Sequence, residues 1–436
     1  MLPHPLPFSS LKKRIVQAHF SGGHISSDSG LLLLREIDKT LKLSDQLAEC
    51  FDDPRKQSHI QHDLKSMIQQ RLMALAAGYE DLNDHDLLRH DYALQTALDK
   101  DQPLASSPTL HRMEAHVQRQ SCVKAHRLLW QQFVQSFPAP PKQIILDFDA
   151  SDIPVHGDQP EKFFHGYYDH YCYLPLYVFA GRFPLVTYLR PSYKDGAYHC
   201  AAILRLLVSF LRQHWPGVQI IFRGDSGFCR QPILKYCERY KVDYIIGIAR
   251  NKRLERMIGK GMDLLKQIHQ LKRELNETDQ TREYWDFLYQ ADSWHRSRKV
   301  IAKLEITDKG ANPRFLLTTL KGEATDLYQL DYCARGEMEN RIKDQQLDLF
   351  GKRTSSKHWW TNQWRLLLSA YVFLLFEHLR SQLDDPTFKR MSVNNLRLKL
   401  IKVAAVIIRN TRRVQFYLSE AYPYQDIFRR LAQSLV

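Results

Sequence analysis

No two of the seven cysteines stand at a C-x-x-C spacing, which excludes the usual zinc modules. Their odd number and their scatter from Cys50 to Cys333 suit reduced thiols in a cytoplasm, not a disulfide framework. Long hydrophobic runs are missing as well. The longest, Leu366 to Phe376, is too short to span a bilayer and reads as a buried helix. The opening MLPHPLPFSSLKKR lacks an apolar signal core, so a membrane role is disfavoured. No Gly-rich phosphate loop of the P-loop type occurs, and ATP hydrolysis is not indicated. Internal repeats and low-complexity tracts are also lacking.

What is present is positive charge on a globular composition. Lys and Arg number 62 against 48 Asp and Glu, a net charge of +14, and 44% of residues are hydrophobic. Such an excess suits a polyanionic partner, and the hydrophobic fraction argues against long disorder. A chain of 436 residues is long enough for two or three domains.

Periodicity divides the chain. Residues 11–20 read as one strand before the Gly22-Gly23 turn, and Ser27-Asp28-Ser29 as the cap of a helix carrying Leu31 to Leu34. Helical patterns follow at Gln57–Ala77, Asn83–Leu98 and Thr109–Phe137, making 1–140 a helical region for DNA binding and dimerisation. After Pro138–Pro141 the period becomes two. Strands are expected at Gln143–Asp149, Cys172–Ala180, Pro184–Arg190, Val218–Phe222 and Asp243–Ala249, with helices at Tyr198–His214 and Gln231–Tyr240. The order β-β-β-α-β-α-β over 141–250 matches an α/β, ribonuclease H-like mixed sheet flanked by helices. A basic helical stretch at 251–280 and three strand-like runs make 251–320 a β-rich insertion. The core resumes at 321–380, and a basic helical region, 381–436, carries Arg397, Lys402, Arg409, Arg412 and Arg413.

Three acidic residues stand out. Asp149 ends the first strand, Asp225 follows the fourth in the Gly-flanked turn RGDSG, and Glu339 lies in YCARGEMENRIK. On a helical wheel Tyr332, Arg335, Glu339 and Lys343 of that stretch fall within an arc of about 80°. Carboxylates converging from separate elements suit two-metal phosphoryl transfer, and Mg²⁺ suits oxygen ligands, with Mn²⁺ as an alternative. Asp147, one strand repeat deeper, and Asp152, beyond the strand end, compete with Asp149.

Several longer motifs accompany these acids: SSDSGLLLLREID, GYEDLNDHDLLRHD, LDFDASD, HGYYDHYCYLPLYVFAG, FRGDSGF, YCARGEMENRIKDQQLDLF and NNLRLKLIK. Through them nearly the whole chain resembles the DDE transposases of bacterial insertion sequences, most closely the IS-thirteen-eighty group. The resemblance implies an Asp149, Asp225, Glu339 metal site with two Mg²⁺. It also implies cleavage at element ends and transfer of the 3′ ends into target DNA. Partners would be double-stranded DNA at terminal inverted repeats and at the target, and a homodimer is expected on DNA. A bacterial, nucleoid-associated, cytoplasmic protein follows. Tyr332, Arg335 and Glu339 match a Tyr-x-x-Arg-x-x-x-Glu signature of related groups. Where those groups carry a later Lys, this chain has Gln346; Lys343, one turn earlier, either replaces it or leaves its role absent. Two other readings remain: a nuclease of the same fold without strand transfer, and an inactive DNA-binding derivative.

Further DNA contacts are expected from Arg335 and Tyr332 at a phosphate, and from Lys12, Lys13 and Arg14 near the N-terminus. In the insertion, Trp294 with Arg296 and Arg298 is placed to stack on a displaced base, ahead of Trp285. His165 and His170, flanking Tyr167-Tyr168, read as structural or DNA-contacting, not as metal ligands.

Overall fold

The computed structural model describes residues 5–56, 58, 60–275 and 280–436. Gln57, where the second helix was expected to begin, and 276–279, at the end of the basic helical stretch, lie outside the described residues. The chain forms two compact units, residues 126–343 and residues 1–125 with 344–436.

The unit 126–343 is built on a 9-stranded mixed sheet. Its strands are β1 (Gln143–Ala150), β2 (Leu176–Ala180), β3 (Phe183–Tyr188), β4 (Gln219–Gly224), β5 (Asp243–Ile248), β6 (Gln280–Tyr289), β7 (Arg298–Thr307), β8 (Gly310–Ala311) and β9 (Arg314–Thr318). Its helices include α1 (Cys200–His214), α2 (Gln231–Arg239), α3 (Lys252–Glu274) and α4 (Gly336–Lys343). The spatial order is β6-β7-β9-β5-β4-β1-β2-β3, with β8 on β7. Strand β4 lies parallel to β1 and to β5, while β1, β2 and β3 pair antiparallel. That is the ribonuclease H-like arrangement the sequence order implies. Alternation explains β1, where Ile144, Leu146 and Phe148 are buried on one face. Period 3.6 explains α1, whose Leu204, Leu207, Val208 and Leu211 are buried.

One expectation needs correction here. The run Cys172–Ala180 is not one strand. It breaks before Pro175, which lacks the N–H a continuous ladder needs. His170–Tyr173 instead pairs with Ile153–Pro154 and Phe163–His165 in a small 3-stranded sheet. The stretch after β5 holds the 23-residue helix α3, and its strands join the large sheet through β9, antiparallel to β5. Without β9 the end of β5 would be an open edge with unpaired N–H and C=O groups. These added strands also form a floor. Ile221 of β4, Ile245 of β5, Ile301 of β7 and Leu316 of β9 pack with Leu327 and Tyr328, with Tyr332 against them. Burying each such Ile or Leu contributes about 1.5–3 kcal/mol.

In the other unit, Leu366 to Phe376 is the buried centre of a helix, Trp359–Ser381. No helix among the described residues is long and apolar enough to cross a membrane. Helix Leu31–Leu41 is not capped by the Ser27-Asp28-Ser29 side chains. Asp28 pairs with Lys402 at 2.7 Å, and Gly30 leaves room for a passing backbone: a Cβ there would lie 1.8 Å from the Leu400 carbonyl oxygen. The stretch 11–20 is not one strand but part of a hairpin, Leu6–Leu11 with Arg14–Ala18, turning at Lys12-Lys13. Asn83–Leu98 and Thr109–Phe137 each divide into two helices. The tail is not all helical. Ala405–Arg409 and Val414–Leu418 form a hairpin, because VIIR and VQFYL are β-branched and aromatic and Asn410 accepts bonds from the Arg412 and Arg413 N–H groups in the turn. Arg397 of the basic tail is buried and donates to the Ala76 and Leu75 carbonyls at a helix end.

Candidate active site

Parallel pairing of β1 and β4 sets Asp147 beside Arg223 and Phe148 beside Gly224. Asp149 thus sits at the C-terminal end of β1, and Asp225 follows directly on the neighbouring end of β4. Asp225 caps a single 3₁₀ turn, Ser226–Phe228, accepting from the Gly227 N–H at 2.8 Å. Gly224 packs closely on that turn, where a Cβ would lie 3.1 Å from the Phe228 ring. Open α/β sheets present functional groups at such strand ends.

The third acid arrives on an irregular segment. Residues Leu327–Tyr332 form a π-helical turn and Cys333–Arg335 a 3₁₀ turn, and only Gly336–Lys343 is α-helical. The single wheel drawn from Tyr332 to Lys343 is therefore corrected: the pitch changes twice, as docking on the sheet floor overrides regular winding. Arg335 and Glu339 keep their i, i+4 relation, Nη1 to Oε1 at 3.4 Å.

Arg335 is the centre of the site. Its Nη2 lies 3.3 Å from Asp149 Oδ1 and 3.9 Å from Asp225 Oδ2. One guanidinium thus faces three carboxylates drawn from three separate elements and offsets part of their charge. Its Nε is buried with no hydrogen-bond partner, an orphan donor costly to leave unpaired. Burial pushes the Asp149 carboxyl up to about 6; Arg335 pulls it down, while Asp225 and Glu339 push it up again. Burial also raises Tyr332, with Asp225 and Asp149 adding to the effect against Arg335. The Tyr332 hydroxyl stands over Gly247 of β5, where a Cβ would meet it at 2.9 Å and the Ser226 nitrogen at 2.8 Å. A cleft of about 570 Å³ leads away from here, lined by Ser226, Gly247, Tyr332, Arg250, Lys303 and Arg314.

Geometry separates the competing acids. Asp147 is buried and bound through both oxygens by Arg223, whose remaining Nη1 donates to the Asp331 carbonyl just before Tyr332. Asp147 is therefore a structural anchor, and Arg223 a tether between β4 and the segment bearing Arg335. Sequence reasoning passed over Arg223, although its place two residues before Asp225 on a strand was a signal. Asp152 accepts from His170 Nε2 at 2.8 Å, on the small sheet beyond β1.

The other expected contacts scatter. Lys343 is exposed at the end of α4. Trp294 is only 9% exposed, edge-on to Tyr289 and covered by the Arg298 guanidinium at 4.6 Å, so it offers no free ring to a base. Arg298 is buried and bonded to Glu238 at 2.6 Å, and Arg296 reaches the same carboxylate at 3.1 Å. Glu238 of α2 draws this cluster inward, which the local polarity of Ser293 to Arg296 concealed. Trp285 lies on Gly261 of α3, where a Cβ would fall 2.0 Å from the ring. Lys12, Lys13 and Arg14 are exposed at the N-terminal hairpin.

Among the described residues, no three His, Cys, Asp or Glu side chains stand close enough together to hold a metal ion. The donor set nonetheless suits a hard divalent cation: three carboxylates, oxygen ligands only, already gathered about a positive charge.

A family described as "Transposase DDE domain group 1" matches residues 8–436. Comparison with solved structures finds a likeness to the cryo-EM structure of a piggyBac transposase synaptic complex with hairpin DNA. The identity is 13%, covering 86% of this chain and 80% of that one, with a TM-score of 0.38. No curated protein sequence matches.

Proposed function

We infer the chemistry from one premise: this chain belongs to the Transposase DDE domain group 1 family. It is proposed to cleave DNA at the ends of an insertion sequence and to join the 3′ ends to target DNA. The observation that carries this reading is the meeting of Asp149, Asp225 and Glu339 around Arg335 at the ends of β1 and β4. Those carboxylates are the groups that would hold divalent cations, Mg²⁺ by preference and Mn²⁺ as an alternative. Bound there, such ions supply positive charge to the attacking and leaving oxygens of an in-line phosphoryl displacement.

The chain's own residues do the positioning. Arg335 presents a planar fork suited to a phosphate, and a phosphate oxygen is the acceptor its unpartnered Nε lacks. Tyr332, fixed over Gly247, can donate its hydroxyl to the same group. Asp149, held near 6, takes up a proton more readily than an ordinary carboxylate. The tether from Arg223 to the Asp331 carbonyl keeps Arg335 in register with Asp149. The net charge of +14 favours binding of the DNA backbone. Two element ends must be paired for transfer, which favours a dimer on DNA.

The test is Mg²⁺-dependent nicking of element-end DNA by Glu339→Gln. Cleavage should be lost while end binding survives, and persisting cleavage would remove Glu339 from the site. Scoring joined products as well as nicks separates a transposase from a nuclease of the same fold.

A further inference from the structure

Because Trp294 is buried, the rings available to DNA must lie elsewhere. An exposed aromatic group surrounds the small sheet of Ile153–Pro154, Phe163–His165 and His170–Tyr173. Phe164 and Tyr171 face each other across two strands, ring centroids 5.7 Å apart, and are 55% and 53% exposed. Tyr167, at the tip of the connecting turn, is 85% exposed. Phe163 stacks edge-on against Tyr193 at 4.4 Å, and both are exposed. Phe163 alternates to the face opposite Phe164 and Tyr171, so the exposed pair on one face is Phe164 with Tyr171, and Tyr167 stands at the turn that joins their strands.

Cations accompany these rings. Lys194 Nζ lies 4.3 Å from the Tyr193 ring, while Lys162 Nζ, 5.5 Å from the Tyr171 ring, is bound to the Gly157 carbonyl at 2.6 Å and to Asp158 at 3.0 Å. The patch is also tied to the acidic centre. The sheet begins three residues after Ala150 ends β1, and His170 holds Asp152 at 2.8 Å. Tyr168, between Tyr167 and His170, is raised to about 12 by burial and by the Asp152 and Asp149 carboxylates, so its phenol lies within their field.

We propose that this aromatic sheet seats unpaired nucleotides of the DNA strand beside the scissile phosphate, with Phe164, Tyr167 and Tyr171 stacking on bases. Exposed flat rings match the uncovered base faces of a single strand, the net charge of +14 suits its phosphates, and stacking accepts any base sequence. A paired duplex buries its base faces and cannot use the rings. The proposal rests on the transposase reading for its location, but its recognition chemistry is separate.

The experiment compares full-length protein on a blunt duplex and on the same duplex carrying a short 3′ oligothymidine tail, by fluorescence anisotropy without divalent metal. The wild type should bind the tailed probe roughly tenfold more tightly. The combined Phe164→Ala, Tyr167→Ala, Tyr171→Ala variant should lose that preference yet keep blunt-duplex affinity, and Tyr167→Phe with Tyr171→Phe should retain it. If the combined variant misfolds, Tyr167→Ala alone, at an exposed turn, decides. The proposal is overturned by a wild type with no preference, or by alanine variants that keep it. A wild-type dimer that becomes monomeric in the variant with its tail preference intact would make the patch an interface between copies, and also overturns it. Mg²⁺-dependent nicking by the wild type, assayed in parallel, tests the transposase reading on its own.

Discussion

Arg335 approaches Asp149 at 3.3 Å while standing within 3.9 Å of Asp225 and 3.4 Å of Glu339, so a single side chain keeps three like charges together. Removing it should expose their mutual repulsion. Arg335→Ala is expected to lose about 2 kcal/mol of stability in the absence of divalent ions, the cost of unpaired, partly buried carboxylates. Mg²⁺ should then raise the melting temperature of the variant more than that of the wild type. An equal or smaller rise would show that the carboxylates do not share a cation site.

The Arg223 tether makes two different contributions, and they can be separated. Arg223→Met leaves Asp147 buried without a partner and should cost about 3–5 kcal/mol in chemical denaturation. Adding Asp147→Leu removes the orphaned charge and should restore most of that loss. Nicking activity should not return, because the bond to the Asp331 carbonyl is still missing. Full activity in the double variant would refute the positioning role.

Gly247 is predicted to be intolerant of even a methyl group. A Cβ would press on the Ser226 nitrogen at 2.8 Å and the Tyr332 hydroxyl at 2.9 Å, displacing both the Asp225 turn and Tyr332. Gly247→Ala should cost about 1–3 kcal/mol and lower the nicking rate by more than the stability loss accounts for. A variant that is less stable but cleaves at the wild-type rate below its melting temperature would count against this placement.

The unit of residues 1–125 and 344–436 carries its own pH dependence. His85 is fully buried beside Arg71, and burial first, then the Arg71 charge, holds its imidazole down at about 3. A His whose folded value is depressed binds fewer protons folded than unfolded. Its contribution is complete above 6.5 and is lost as pH falls below that value. Denaturation between pH 6.5 and pH 4 should show a decline of about 1.4 kcal/mol per pH unit from this group. His85→Gln, less stable at neutral pH, should flatten the decline by that amount; an unchanged slope would assign the dependence elsewhere.

Sequence alone determined what depends on neighbours along the chain. Alternation in QIILDFDA fixed β1 and put Asp149 at its end, and the glycines of RGDSG fixed the turn at Asp225. An i, i+4 spacing brought Arg335 to Glu339, and the β-β-β-α-β-α-β order fixed the sheet. Tertiary structure decided whatever required a partner far away in the chain. It chose Arg335 as the common counter-charge, bound Asp147 to Arg223 and so left Asp149 to the site, and demanded Gly247 beneath Tyr332. It turned Trp294 inward toward Tyr289 and Arg298, added β9 to the edge of β5, and broke the regular helix before Glu339. Local patterns encode backbone dihedrals and which face is apolar. The partner a charge or ring meets is set by which elements pack together, and that is decided only once the chain has closed on itself.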